Sequence, residues 1–261
     1  LPSPAANGYR EKKANCWMKE FFKKYAGYLA VGSVVLLVIV YESLRQGDFS
    51  IFLTASKDLL LGKNIYQVEY NEWYHYYYSV GFALLLVPFT YLPLPLTQFL
   101  WLLANVFFVY RTWKIISGWL PVHLLTQNHR RLFTALSFLF VLSFLRDNFH
   151  LTQMTICILY LALEGVRLIN THRTWAGSLL LALSIDIKIL PVVFLPYLLY
   201  RNKWKACAGI CGFLVLFLLL PALAVGWEYN SFLLQERWKL LNRSEEHTSE
   251  LQSHSDLVCR L

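Results

Sequence analysis

The residues of this chain that can do chemistry are few, and most of them stand at the ends of long apolar blocks. Asp48 follows one block almost immediately. Arg146, His150 and Gln153 cluster after another, and Asp186-Ile187-Lys188 interrupts a third. Ionisable groups at membrane depth are costly and mark functional positions. The bland readings stand beside the functional ones. Asp48 can be a helix N-cap, for which Asp is among the preferred residues, and capping is compatible with a catalytic role. Lys188 can snorkel to an interface and pair with Asp186. Lys57 and Asp58 read as a solvated helix face, and Glu164 with Arg167, three residues apart, as a helix-surface ion pair.

The elements that must position these residues are apolar helices. The 261 residues are 57% hydrophobic and 15% charged, whereas an average soluble domain carries about a quarter charged residues. A mean hydropathy of +0.43 over the whole length exceeds what one soluble core can hide. The net charge of +8 does not indicate nucleic-acid binding, because Lys and Arg fall in short clusters between apolar blocks, where membrane proteins place cytoplasmic loops. Cys157, Cys207 and Cys211 lie inside apolar blocks and act as small hydrophobes. We expect no disulfide and see no metal-ligand spacing. Gly-rich phosphate loops, His-x-x-x-His spacing and a Gly-x-Ser-x-Gly elbow are all absent from the sequence.

Charge distribution sets the expected topology. Residues 1–24 carry a net charge of +4, which places that end in the cytoplasm. A first span at about 25–44 then leads to an outer loop holding Asp48, Asp58, Glu69 and Glu72 against three basic residues. Within that loop, Phe49, Phe52, Leu53, Leu59 and Leu60 share one helical face and Gly62 supplies a stop. This predicts an amphipathic helix on the outer leaflet, followed by an aromatic belt from Tyr66 to Tyr78. Residues 80–92 form a short apolar stretch before Pro93-Leu94-Pro95, expected to be interfacial or re-entrant. Further spans are predicted at about 94–113, 132–145, 151–166 and 206–225, with two short broken helices between 175 and 200 around Asp186 and Lys188. The expectation is an all-α polytopic membrane protein with seven passes.

The chain also reads as three regions: a basic cytoplasmic segment at 1–24, the membrane domain at 25–242, and a tail at 243–261. From Arg243 to His254 the composition turns abruptly polar and reads like an in-frame translation of a sequencing adapter, so the tail is set aside from fold reasoning. On that reading the natural protein continues past Asn242.

One stretch resembles a known family. Asp48-Phe-Ser-Ile-Phe52-Leu-Thr-Ala55-Ser-Lys-Asp-Leu59-Leu60-Leu-Gly62-Lys-Asn-Ile-Tyr66 is similar to the first outer loop of the family 87 glycosyltransferases, polytopic GT-C enzymes that include polyprenyl-phosphate-mannose-dependent mannosyltransferases. The apolar segment 82–95 and Ile187-Lys188-Ile-Leu-Pro191 agree with it. His150-Leu-Thr-Gln153 stands where the family has Gly-Gln-x-Asn, keeping the Gln but neither flank. The resemblance covers about residues 25–242.

The resemblance implies transfer of a hexose such as mannose from a polyprenyl-phosphate donor to the hydroxyl of a glycan or glycolipid acceptor. Transfer would occur with inversion on the outer face of the cell's inner or plasma membrane, without a cofactor. It makes Asp48 the catalytic base that takes the acceptor proton and Lys188 the cation that steadies the leaving phosphate. Tyr66, as a sugar-stacking ring or a plain interfacial anchor, and His150, Gln153 and Arg146 complete the candidate substrate-binding set, with no metal ligand. Two other functions remain open: a transporter or flippase for lipid-linked sugars, which calls for ionisable groups along a mid-membrane path, and a non-catalytic membrane scaffold.

Overall fold

The computed structural model describes residues 25–27, 29–70, 74–120 and 126–258, with side chains as far as residue 242. Every regular element among the described residues is a helix, apart from one isolated antiparallel bridge between Tyr70 and Tyr74. Four stretches are long and apolar enough to cross a membrane: α1 (Tyr25–Ser43), α4 (Leu94–Trp119), α5 (Gln127–His150) and Trp204–Val225. The last contains α9 (Trp204–Leu219) and α10 (Ala222–Val225), broken at Pro221, which has no N–H to donate. α4 and α5 run beyond the predicted spans into their basic ends, because Arg and Lys continue a helix readily.

Helices α6 (Thr155–Asn170), α7 (Thr174–Ile187) and α9 form the bundle core. Small residues let them approach closely, as packing between membrane helices requires. A Cβ added to Gly177 would lie 2.6 Å from the Gly165 carbonyl oxygen, and one on Gly165 would lie 2.9 Å from the Gly177 carbonyl oxygen. Ser178 donates its hydroxyl to the Ala206 carbonyl at 3.0 Å, which ties α7 to α9. Ala162, Val166 and Ile169 from α6 meet Leu181, Ala182 and Ile210 in the same apolar seam.

The predicted break between 175 and 200 is present. α7 ends at Ile187, Lys188 is extended, and a 3₁₀ turn (Leu190–Val193) leads into α8 (Phe194–Tyr200). Pro191 accounts for the stop, since its ring would clash with the carbonyl four residues back, that of Ile187. Residues 80–92 likewise form the short α3 (Val80–Leu86) and a 3₁₀ turn (Val87–Tyr91). The remaining predicted passes, on α6, α7 and α8, fall on helices of 16, 14 and 7 residues.

A second apolar cluster caps one end of the bundle. It is built from α2 (Asp48–Leu60), the Tyr66–Tyr78 region, α3 and the start of α11 (Trp227–Val258). Here two expectations are corrected. α2 keeps a narrow solvent stripe at Thr54, Lys57 and Leu60, so Leu60, expected on the apolar face, is 51% exposed, while Phe49, Ile51, Phe52, Leu53, Ala55, Ser56, Asp58 and Leu59 are all buried. Asp58 is 7% exposed rather than solvated, and its carboxylate takes Lys63 at 2.7 Å and the Tyr70 hydroxyl at 3.3 Å. The cause is tertiary: the aromatic region and α11 fold over a helix that would otherwise lie half in water. The predicted pair of Glu164 with Arg167 is present, and Arg111 of α4 joins it at 3.1 Å. α11 continues without a break through residues 243–258.

Candidate active site

Asp48 is the first residue of α2, and Gly47, not Asp48, is the N-cap. The Asp48 side chain makes no capping bond, although its charge still suits the positive end of the helix dipole. Its backbone N–H donates to the Leu151 carbonyl at 2.8 Å, and the Phe49 N–H donates to Thr152 Oγ1 at 3.3 Å. Thr152 turns with a φ of 50°. That turn, between α5 and α6, brings Gln153 close enough to the Asp48 carboxylate to favour its charged form. Burial pushes the Asp48 carboxyl above the ordinary aspartate value, and the Gln153 hydrogen bond opposes the shift by favouring the charged form. Asp48 is therefore a stronger base than a solvated aspartate.

A cavity of about 740 Å³ opens in front of this carboxylate. Ile51 and Phe52 of α2 form one wall, and Tyr74, His75, Tyr77 and Tyr78 another. Asp186, Lys188 and Ile189 come from the broken end of α7, and Arg237 and Trp238 from α11. Burial, with a smaller contribution from the Asp48 charge, pushes the Tyr78 phenol up to about 12, so it stays protonated and able to donate. Ser79 links the walls: its hydroxyl donates to Asp186 Oδ2 at 2.7 Å while its oxygen caps α3 by accepting from the Phe82 N–H at 3.0 Å. Asp186 is thus occupied by Ser79, and among the described residues no ion pair joins it to Lys188. Lys188 is exposed to the cavity.

The six residues singled out in the sequence do not all gather. Asp48 and Lys188 line the cavity, and Gln153 touches Asp48 from behind. Gln153 also lines a separate groove of about 460 Å³ bounded by α4, α5 and α6, whose walls are almost entirely apolar. Tyr66 is 2% exposed and donates its hydroxyl to the Tyr78 carbonyl at 2.9 Å, so it supports the aromatic wall from within. Its phenol is raised far above the ordinary tyrosine value by burial. His150 faces Glu42 at 3.2 Å, and Arg146 pairs with Asp147 at 3.0 Å on the surface; neither lines the cavity. Among the described residues, no group of three or more His, Cys, Asp or Glu side chains is placed to hold a metal ion.

Sequence reasoning missed His75, Arg237 and Trp238. The signal for Arg237 was available: Asn230, Leu233, Leu234, Arg237 and Leu241 recur at helical spacing. Such a stripe marks a face packed on something, and here it packs over the cavity.

The sequence model of glycosyltransferase family 87 matches residues 76–258, well over half of the chain. This chain belongs to glycosyltransferase family 87. It is a membrane glycosyltransferase, and as such it acts on a sugar donor and an acceptor. The match takes in the cavity lining from Tyr77 to Leu241, while Tyr74, His75 and α2 with Asp48 precede it. It also takes in most of the polar tail. Comparison with curated proteins and with solved structures gave no match.

Proposed function

We propose that this family 87 enzyme transfers a hexose such as mannose, with inversion, from a polyprenyl-phosphate donor to a hydroxyl of a glycan or glycolipid. The observation that carries the proposal is the Asp48 carboxylate, kept basic by burial and aimed by Gln153, lining one cavity with Lys188. A hydroxyl is a poor nucleophile until a base accepts its proton in the transition state. The acceptor oxygen attacks the anomeric carbon, its proton passes to Asp48, and the bond from that carbon to the phosphate oxygen breaks. The leaving polyprenyl phosphate takes the electron pair and gains a negative charge, which Lys188 stabilises in a site shielded from water.

The GT-C-like, seven-pass topology belongs to the same proposal, with the N-terminus in the cytoplasm and the site on the outer face of the inner or plasma membrane. The helix directions support it. α6 leaves the Gln153 turn and reaches Arg167; α7 returns from Arg173 to Asp186; α8 goes back to Arg201; α9 rises from Lys203, and its far half lines the cavity with Leu214 and Leu218. Each basic loop thus falls at the end remote from Asp48, about 24 Å away along a 16-residue helix. The positive-inside rule assigns that end to the cytoplasm.

Asp48→Asn tests the base. The substitution keeps shape and removes the proton acceptor, so transfer from a polyprenyl-phosphate donor should fall roughly 10²–10⁴-fold at matched expression. Because ionised Asp48 is partly desolvated, thermal stability at neutral pH should hold or rise. Near-wild-type transfer would remove Asp48 from the mechanism.

A further inference from the structure

The cavity wall formed by α11 carries a cation, Arg237, that makes no salt bridge among the described residues. Arg237 Nη2 donates to the Asp186 backbone carbonyl at 3.2 Å. Its Nε is buried and has no hydrogen-bond partner among the described residues. No described carboxylate comes within salt-bridge distance of it; the Asp186 carboxylate, which accepts from Ser79, acts on Arg237 only through its charge from further away. A buried N–H without a partner costs stability, and more so on a charged group.

The rest of α11 is fastened tightly around this residue. Asn64 and Gln67 both donate to Glu236 Oε2, at 3.0 and 2.7 Å. Tyr229 donates to the Lys63 carbonyl at 2.6 Å, and Asn230 to the Leu218 carbonyl at 3.0 Å. Arg237 is thus held in place by its neighbours while the edge of its guanidinium is left unsatisfied. A guanidinium fork matches phosphate oxygens in geometry and charge, and such bonds are among the strongest hydrogen bonds proteins make.

We propose that Arg237 holds the phosphate of the lipid-linked donor, with its Nε–H and free Nη hydrogens donating to the phosphate oxygens while Lys188 faces the same group. The inference rests on the polyprenyl-phosphate reading above and adds to it the residue that recognises the phosphate. In the ground state the donor phosphodiester carries one negative charge; as the bond to the sugar breaks the phosphate gains a second, and Arg237 meets both. Lys188 is the exposed cation, and Arg237 is the anchored one that fixes where the phosphorus sits relative to Asp48.

The test compares farnesyl phosphate with farnesol, which share a tail and differ only in the phosphate. Affinities are read from thermal-stability titrations of the detergent-solubilised chain. The wild type should prefer farnesyl phosphate, and Arg237→Gln should lose roughly 10–100-fold of that preference while its affinity for farnesol holds. Asp48→Asn should keep the phosphate preference and lose only transfer, which separates the two roles. Arg237→Lys keeps the charge without the fork and should fall between; it carries the comparison where the Gln variant does not fold. A wild-type preference in the Arg237 variants overturns the assignment and leaves the donor reading standing. No preference in the wild type itself removes the donor reading and Arg237 with it.

Discussion

Gly47→Ala should dismantle the site without touching a reactive group. Gly47 has a φ of −130°, which alanine adopts freely, so any effect must be steric. A Cβ there would run into Thr152 Oγ1 and lie 2.9 Å from the Leu151 carbonyl oxygen and 3.1 Å from its carbon. Thr152 can rotate away only by abandoning the Phe49 N–H, and the Leu151 carbonyl can move only by abandoning the Asp48 N–H. Overpacking costs about 1–3 kcal/mol, and a buried N–H left without a partner costs a further ~1–3 kcal/mol. A total of roughly 2–6 kcal/mol in a chain of this size lowers Tm by about 4–24 °C at ~2–4 °C per kcal/mol. Relief by separating α2 from the turn also moves Asp48 away from Gln153, so transfer should fall with stability. Thermal unfolding in detergent and donor-dependent transfer are measured beside Gly212→Ala, whose Cβ meets nothing within 4 Å. A Gly47→Ala protein that melts with the wild type would refute the claim that α2 is locked to the 151–153 turn.

Gln153→Leu removes the hydrogen bond that favours ionised Asp48, so its pKa should rise further. The base works only when ionised, so transfer should be lost at a higher pH than in the wild type as the pH falls; an unchanged acid limb, or one moved to lower pH, contradicts the pairing. Gly177→Ala drives a methyl into the Gly165 carbonyl and the Ile169 side chain, and should destabilise the α6–α7 seam by about 1–3 kcal/mol. Intact thermal stability in that variant would mean the two helices are not packed as closely as described.

Much of this architecture was legible because membrane helices carry their own markers. The basic clusters and apolar blocks gave the order of the helices, and Asp186-Ile187-Lys188 with Pro191 gave the break in α7. Lys188 belonged with Asp48 on paper because both follow apolar blocks on the same predicted side, and the cavity joins them. Asp58 was misread for a reason local periodicity cannot supply. Its burial depends on Lys63, on Tyr70 and on a helix that returns some 170 residues later to bond Asn64 and Gln67 through Glu236. Tyr66 was misplaced in the same way, because the rings that enclose it, Tyr76 and Tyr78, lie on a wall whose direction only the fold decides.

The way the cavity is assembled explains why its residues are spread so far along the chain. The carboxylate comes from the start of α2, the amide beside it from the α5–α6 turn, one cation from the break in α7 and the other from α11. The first three of these points are places where a helix begins, ends or breaks, and Arg237 lies inside α11, which packs over the same end of the bundle. A helix interior in a membrane must satisfy its own backbone and present apolar side chains outward, which leaves little room for reactive groups. Helix ends carry the spare donors and acceptors and the freedom to aim a side chain. Ser79 shows how such ends are coupled, since one hydroxyl caps α3 and holds the Asp186 carboxylate at the end of α7. So held, the Asp186 carboxylate makes no salt bridge with Arg237 or Lys188, and the hydrogen-bonding edge of Arg237 remains open to a ligand. The placement of one serine therefore bears on where the Asp186 carboxylate sits relative to the cations of the cavity.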